Sequence, residues 1–179
     1  MELKNMVALV SRTGRHLQRY ERGCRQVVGC IPYRIKLANK ATLVDEDSLE
    51  VLVITAQRKG KGVLFPKGGW ETDEDIFEAA ERETVEEAGV VGDVQKFLGH
   101  WNFENQNKES FMFAMQVREQ LEFWPEQDKR QRIWMSVAEA RKECKQKWMK
   151  DALENLVKWL TDEAPLASSS PSQERRSNL

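Results

Sequence analysis

The 179-residue sequence is poor in the residues that build compact metal or disulfide scaffolds, with two histidines and three cysteines. His16 and His100 stand far apart and lack ligand spacing; His100, in an aromatic strand-like stretch, reads as structural. Cys24, Cys30 and Cys144 show no C-x-x-C spacing and are odd in number. A disulfide framework or structural zinc is therefore not expected, and a reducing, intracellular setting fits. No apolar run approaches the roughly 20 residues of a membrane span. The first residues show no signal-peptide pattern, although an Arg-rich, nearly acid-free beginning weakly resembles a transit peptide. The expected compartment is the cytoplasm, with the nucleus second and organelle import open. Net charge is also nearly absent, at -1, and no nucleic-acid motif is recognised, so neither nucleic acid nor membrane is an expected partner.

What is present suffices for one domain. The chain is 40% hydrophobic, with six Trp and seven Phe, and 32% charged. Charge is unevenly placed. From Arg12 to Lys40 the only acid is Glu21, whereas from Glu71 to Glu87 nine acids stand against Arg82 alone. Such asymmetry suits a site where cations meet an anionic ligand, and equally suits two separate solvated surfaces. The division expected is a basic extension over 1–22, a domain over 23–161 and a disordered Ser-, Pro- and Glu-rich tail over 162–179.

Strands are expected at Gln26–Ile35, Leu49–Thr55, Gly62–Phe65, Val94–Phe103, Ser110–Arg118 and Arg132–Met135. The unbroken Val51-Leu52-Val53-Ile54 run suggests burial on both faces, and the alternation of Phe111, Phe113, Met115 and Val117 suggests a half-buried strand. Thr72-x-x-Asp75 resembles a capping box before a helix that Gly89 is placed to stop. Ser136-x-x-Glu139 opens a second helix, whose apolar stripe runs from Val137 through Cys144 and Trp148 to Trp159 or Leu160. Asn39–Ser48 reads as a loop. The order gives a mixed α/β fold with a sheet between helices.

Chemistry concentrates on the first helix. Glu83, Glu86 and Glu87, at i, i+3 and i+4, share one face and repel one another by a few tenths of a kcal/mol per pair. A hard cation would relieve that repulsion, and carboxylate oxygens are the donors Mg²⁺ prefers; a solvated acidic face is the plainer alternative. Pro66-Lys67-Gly68-Gly69-Trp70-Glu71 forms a turn before this helix. Gly68, Glu74 and then Arg82-Glu83-Thr84-x-Glu86-Glu87-x-Gly89-Val90 resemble the Nudix box at every charged and glycine position. Thr84 departs, standing where the family has an apolar residue. Gly60-Lys61-Gly62, by contrast, is no P-loop and reads as a turn.

The resemblance implies an α/β/α sandwich with a central mixed sheet and a catalytic loop–helix–loop. It implies Mg²⁺, with Mn²⁺ as substitute, held by Glu83, Glu87, Glu86 and the backbone carbonyl of Lys67. Glu86 would be the general base or a further ligand, with Glu122 or Glu126 as bases outside the box. Arg82 would orient the glutamates and Glu74 would support the helix–loop geometry.

The flanks add Arg12-Thr13-Gly14-Arg15, Arg25 to Arg34, Trp124-Pro125-Glu126 and Arg130-Gln131-Arg132-Ile133-Trp134. They resemble plant Nudix proteins of the diphosphoinositol polyphosphate phosphohydrolase type. The partner implied is a small, densely anionic phosphorylated molecule: an inositol pyrophosphate, or alternatively a diadenosine polyphosphate. A silent phosphate-binding domain is the non-enzymatic alternative, and a monomer is favoured. Phosphate-dense ligands call for Arg and Lys, so Arg25, Arg58, Lys67 and Arg132, with the Gly68 and Gly69 backbone, are the substrate-binding candidates; Arg15 and Lys61 rank below them. Aromatic residues facing the pocket would indicate a base-binding site. Trp70 could be one, but it reads rather as core, as do Trp101, Phe103, Phe111, Phe113, Trp148 and Trp159.

Overall fold

A computed structural model describes residues 10–36, 44–57 and 62–163. Its strands are β1 (Tyr20–Glu21), β2 (Cys24–Ile35), β3 (Leu49–Thr55), β4 (Val63–Leu64), β5 (Lys67–Gly69), β6 (Val90–Phe103), β7 (Lys108–Gln120) and β8 (Arg132–Ser136). Its helices are α1 (Ile76–Ala88), α2 (Val137–Glu143) and α3 (Lys147–Lys158). The strands form one mixed sheet whose main path runs β4-β3-β2-β7-β6. β2 and β7 are parallel; β3 pairs antiparallel with β2 and β8, and β5 pairs antiparallel with the first half of β2.

Alternate residues of the central strands enter two separate cores. Ile31, Val51, Val53, Met112 and Ala114 pack with Met149, Leu153 and Leu156 of α3. Val28, Cys30, Leu52, Ile54 and Met115 pack with Ala79, Ala80 and Ala88 of α1. The Val51–Ile54 run is thus buried on both faces, as a strand between two helical layers must be. Each large side chain taken fully out of water stabilises the sandwich by about 1.5–3 kcal/mol.

Local chemistry sets the ends of α1. Asp75, not Thr72, is its N-cap: the Asp75 side chain accepts from the Glu78 N–H and Glu78 reaches back to the Asp75 N–H. Thr72 lies too early because the chain is still pairing there, its N–H donating to the Leu17 carbonyl. Gly89 ends the helix in the left-handed region at φ 63°, which glycine adopts without the Cβ penalty. Ser136 caps α2 by accepting from the Glu139 N–H.

The structure corrects four expectations. The C-terminal apolar stripe belongs to two helices, since Cys144 turns to ψ 109° and breaks the periodicity between α2 and α3. Lys67–Gly69, expected as a turn, is the edge strand β5. A turn of π-helix carries Trp159–Glu163 past the end of α3, so order continues beyond residue 161. Finally, the described part of the segment expected as an extension, residues 10–22, packs on the domain. Gln18 bridges to Glu71, the Arg19 N–H donates to the Trp70 carbonyl, and the Arg12 N–H reaches Glu86. Most of the tail and much of the Asn39–Ser48 loop lie outside the described residues, and Glu46–Ser48 forms a 3₁₀ turn.

Candidate active site

Two short segments bring the box residues together. β5 pairs with β2, which sets Gly68 opposite Val28, and α1 crosses over it. A Cβ on Gly68 would collide with the carboxylate of Glu83, so the missing side chain is what lets that carboxylate lie against the strand. Glu83, Glu86 and Glu87 are all buried, at 8%, 8% and 9% exposure, which sets aside the solvated-face alternative.

Arg82 is the organising cation. Its Nε donates to Glu74 Oε2 at 2.9 Å and its Nη2 to Glu74 Oε1 at 2.6 Å. Nη1 reaches Glu83 at 2.8 Å and Glu86 at 3.3 Å, while Nη2 also donates to the Gly69 carbonyl at 2.9 Å. One planar guanidinium thus ties the helix, its preceding loop and β5 into a single unit. Glu87 turns the other way: it accepts from the Lys67 N–H at 3.0 Å and from Arg130 at 3.4 Å. Glu86 also accepts from the Arg12 N–H at 3.1 Å, and the Arg12 guanidinium bridges Glu71 and Asp73.

Burial penalises charge on these carboxylates. It pushes the Glu83 carboxyl up to about 8; Arg82 opposes the shift, and Glu87 and Glu86 add to it. Burial likewise raises Glu87 to about 7, against Arg130 and the Lys67 N–H. Glu86 moves in the same direction for the same reason, offset by the Arg12 N–H and Arg82. A set of buried carboxylates that is costly to ionise has the donor chemistry to suit a hard divalent cation. Among the described residues, however, no three such groups converge closely enough to hold a metal ion; the oxygens point instead to Arg82, Arg130 and backbone N–H groups.

A polar cavity of about 220 Å³ opens over this helix face. Glu83, Glu86 and Glu87 line it together with Glu126, and Arg12, Arg15 and Arg25 supply cations. Of the two bases considered outside the box, Glu126 is therefore present. Its N–H donates to the Glu86 carbonyl at 3.0 Å. Glu122 is exposed and does not line the cavity. Among the described residues, no aromatic residue lines it.

The other candidates divide. Arg25 lines the cavity and hydrogen-bonds Gln18 at 3.4 Å. Gly69 lines it too; a Cβ there would strike the Gln18 amide. Lys67 offers its N–H to Glu87. Arg132 is not brought to the cavity. Its guanidinium donates to the carbonyls of Ala88 at 3.2 Å, Gly89 at 3.0 Å and Leu121 at 2.6 Å, and lies 3.9 Å over the Trp124 ring. It satisfies carbonyls at the end of α1 that the helix leaves unpaired, which is a structural role. Arg58 and Lys61 lie outside the described residues. Trp70 is committed to packing: Arg19 stacks on it at 4.1 Å, Phe111 meets it edge-on, and its N–H donates to the Glu74 carbonyl. His100 stacks on Phe111 at 4.7 Å beside Glu109, a packing role. Arg12 and Glu71, which also shape the site, carried no distinguishing periodicity. Only the charge reversal between the Arg12–Lys40 and Glu71–Glu87 stretches hinted at their meeting.

Comparison with known proteins agrees with this architecture. The NUDIX domain model matches residues 37–160. The chain is 59% identical over 160 residues to Nudix hydrolase 18, mitochondrial, of Arabidopsis thaliana, covering 87% of this chain and 89% of that protein. It is 56% identical over 165 residues to Nudix hydrolase 17, mitochondrial, of the same plant, covering 90% and 89%. Diphosphoinositol polyphosphate phosphohydrolase 2 of Mus musculus is 33% identical over 99 residues, covering 54% of this chain and 55% of that one. Among solved structures, a C. elegans Ap4A hydrolase binary complex superposes with a TM-score of 0.59 at 22% identity, covering 75% and 96%. The expectation of a cytoplasmic protein does not stand, because the two Arabidopsis relatives carry mitochondrial names. With the box at full spacing on a buried helix face and these relatives over most of its length, the chain belongs to the Nudix hydrolase family and is a pyrophosphohydrolase.

Proposed function

We propose that the protein hydrolyses a diphosphate bond in an inositol pyrophosphate, using Mg²⁺ with Mn²⁺ as substitute. The observation that carries this reading is the composition of the cavity: carboxylates interleaved with arginines and, among the described residues, no aromatic lining on which a nucleobase could stack. A ring crowded with phosphates needs cations, whereas a dinucleoside also needs a place for its base. The partial likeness to the mouse diphosphoinositol polyphosphate phosphohydrolase supports the same choice. We place the reaction in the mitochondrion, following the names of the Arabidopsis relatives.

In this account Glu83 and Glu87, with the Lys67 carbonyl, would hold the cation in place of the present partners of the two carboxylates, Arg82, Arg130 and the Lys67 N–H, and Glu86 would be the general base or a further ligand. When bound, the cation supplies charge neutralisation at the phosphoryl oxygens and a more acidic water. As the base, Glu86 would take the proton of the attacking water, since it lines the cavity. Arg82 holds Glu83 and Glu86 in register, and Glu74 holds Arg82. Arg25, with the Gly68 and Gly69 backbone, positions the phosphates. Most of the rate enhancement is positioning and electrostatic stabilisation.

The test is a substrate panel. Turnover of inositol pyrophosphates and diadenosine polyphosphates is compared at matched Mg²⁺ and protein concentration. Higher kcat/KM for the inositol compounds is expected; preference for the diadenosine compounds would overturn the substrate assignment.

A further inference from the structure

We propose that the groove between α1 and the β6–β7 side of the sheet docks a partner protein through a cationic amphipathic segment, one whose apolar side chains are flanked by Lys or Arg. This inference stands apart from the choice of substrate.

The groove follows from where α1 packs. Ala79, Ala80 and Ala88 seat the helix on β2 and β3, and β6 ends the main path of the sheet. Between the helix and the start of β6 lies an opening of about 580 Å³. Val85, Val90, Val91 and Met115 give it an apolar surface, and Glu78 and Glu81 stand at its wall. The opening continues into an exposed aromatic pair. Phe77 of α1 and Phe97 of β6 each rest against the buried Phe113, with ring centroids 5.4 Å apart, yet they are 49% and 47% exposed. Phe77 and Glu81 lie one turn apart on α1, and Phe113 and Met115 share one face of β7, so the pair and the opening form one surface. Single exposed aromatics are ordinary; two from different elements, joined to an apolar opening, mark an interaction site.

Charge selects the partner. The arginines around the opening are already committed: Arg12 to Glu71 and Asp73, Arg82 to Glu74 and Glu83, and Arg118 to Asp93. Glu78 and Glu81 have no ion pair among the described residues. Partial burial holds the Glu81 carboxyl above its ordinary range; Asp75, Asp93 and Glu78 add to the shift, and Arg118 opposes it. The uncompensated charge beside the apolar surface is therefore negative. A basic group on the partner balances it, whereas a phosphate, a nucleic acid or an anionic membrane would be repelled. Length selects further. From Phe77 to Val85 the helix rises about 12 Å. A small amine would leave the phenyl rings bare. A partner helix of two to three turns covers the whole surface, with its apolar stripe in the groove and its basic flanks on the carboxylates.

The test uses the full chain and a fluorescein-labelled helical peptide of about 18 residues, with Leu at helical spacing and Lys on the flanks. Anisotropy is the readout, and a control peptide carries Glu in place of each Lys. Wild type, Phe77→Ser, Phe97→Ser and Glu81→Lys are compared, with melting curves to confirm folding. The wild type should bind the Lys peptide at least about tenfold more tightly than the Glu peptide. Each variant should weaken Lys-peptide binding by about tenfold or more. No wild-type binding, equal affinity for the two peptides, or wild-type affinity in both Phe variants would overturn the site; the last result would place the peptide on the acidic catalytic cavity instead. Two rival occupants have their own outcomes. A wild-type dimer in sedimentation equilibrium that Phe97→Ser dissociates would give the surface to a second copy of the chain. Tighter peptide binding by Val7→Asp would give it to the chain's own first residues. Either result overturns the assignment to a partner protein.

Discussion

Arg82 and Glu74 meet in a two-point fork, with Nε to Oε2 at 2.9 Å and Nη2 to Oε1 at 2.6 Å, and the remaining nitrogen of that guanidinium reaches Glu83 and Glu86. The pair ties the loop before α1 to the carboxylates on it. Both partners are largely buried, with Arg82 at 15% side-chain exposure and Glu74 at 4%. Removing the cation leaves several buried carboxylates without their partner. Arg82→Met should therefore lower unfolding stability by about 3–5 kcal/mol in denaturant titration. Arg82→Lys should recover only part of the loss, because an ammonium cannot reproduce the fork. Wild-type stability in the Met variant would contradict the organising role.

Gly68 offers a separable effect. A Cβ there meets the end of the Glu83 side chain, which can move, and Gly68 does not occupy the positive-φ region. Gly68→Ala should fold normally but displace the carboxylate. A shift of about 1 Å at such a position costs on the order of 100-fold in turnover. A melting temperature near wild type with kcat reduced to that degree is expected; undiminished kcat would show that the Glu83 position is not critical.

Arg132 should behave in the opposite way. Its three donated hydrogen bonds to carbonyls brace the end of α1 and the chain at Leu121. Arg132→Gln should lower stability by about 2–3 kcal/mol, as expected for loss of hydrogen bonds from a charged donor. KM for an inositol pyrophosphate should stay at the wild-type value. A large rise in KM without loss of stability would return Arg132 to the substrate.

The metal-free protein should lose stability as pH rises. Glu83 and Glu87 carry folded-state carboxyl pKa values of about 8 and about 7, above the ordinary 4.5. The folded state therefore binds protons that the unfolded chain releases. That contribution is fully present below 4.5 and is lost as pH passes through about 7 and then about 8. Melting in EDTA should show the decline, and added Mg²⁺ should flatten it by balancing the ionised carboxylates. A pH-independent melting temperature across that window would contradict the burial account.

Much of this was legible in the residues themselves. The Val51–Ile54 run, the alternation in β7, the Gly89 stop and the Ser136 cap are local signals, and each sits where local chemistry places it. The spacing of Glu83, Glu86 and Glu87 puts them on one helix face without reference to the rest of the chain. What local reasoning missed was made by tertiary contact. β1 is two exposed residues without alternation, and β5 contains two glycines, so neither has a strand signature. The break between α2 and α3 falls at Cys144, with no glycine or proline in Glu143–Gln146 to mark it, and Arg141 spans it by pairing with Glu154 and Glu46. Lys108 could not be matched to Arg25 because parallel pairing between distant strands leaves no mark in sequence. Arg132 shows the converse: its charge was visible, but not the carbonyls it serves.

The carboxylates of α1 acting on a diphosphate are the centre of the account. Glu86→Gln keeps the size of the side chain and removes its charge, so turnover of an inositol pyrophosphate at saturating Mg²⁺ tests that claim directly. A loss of about 10²–10⁴-fold in kcat, with the variant folded, is the result expected for removal of a general base; turnover equal to wild type would contradict it.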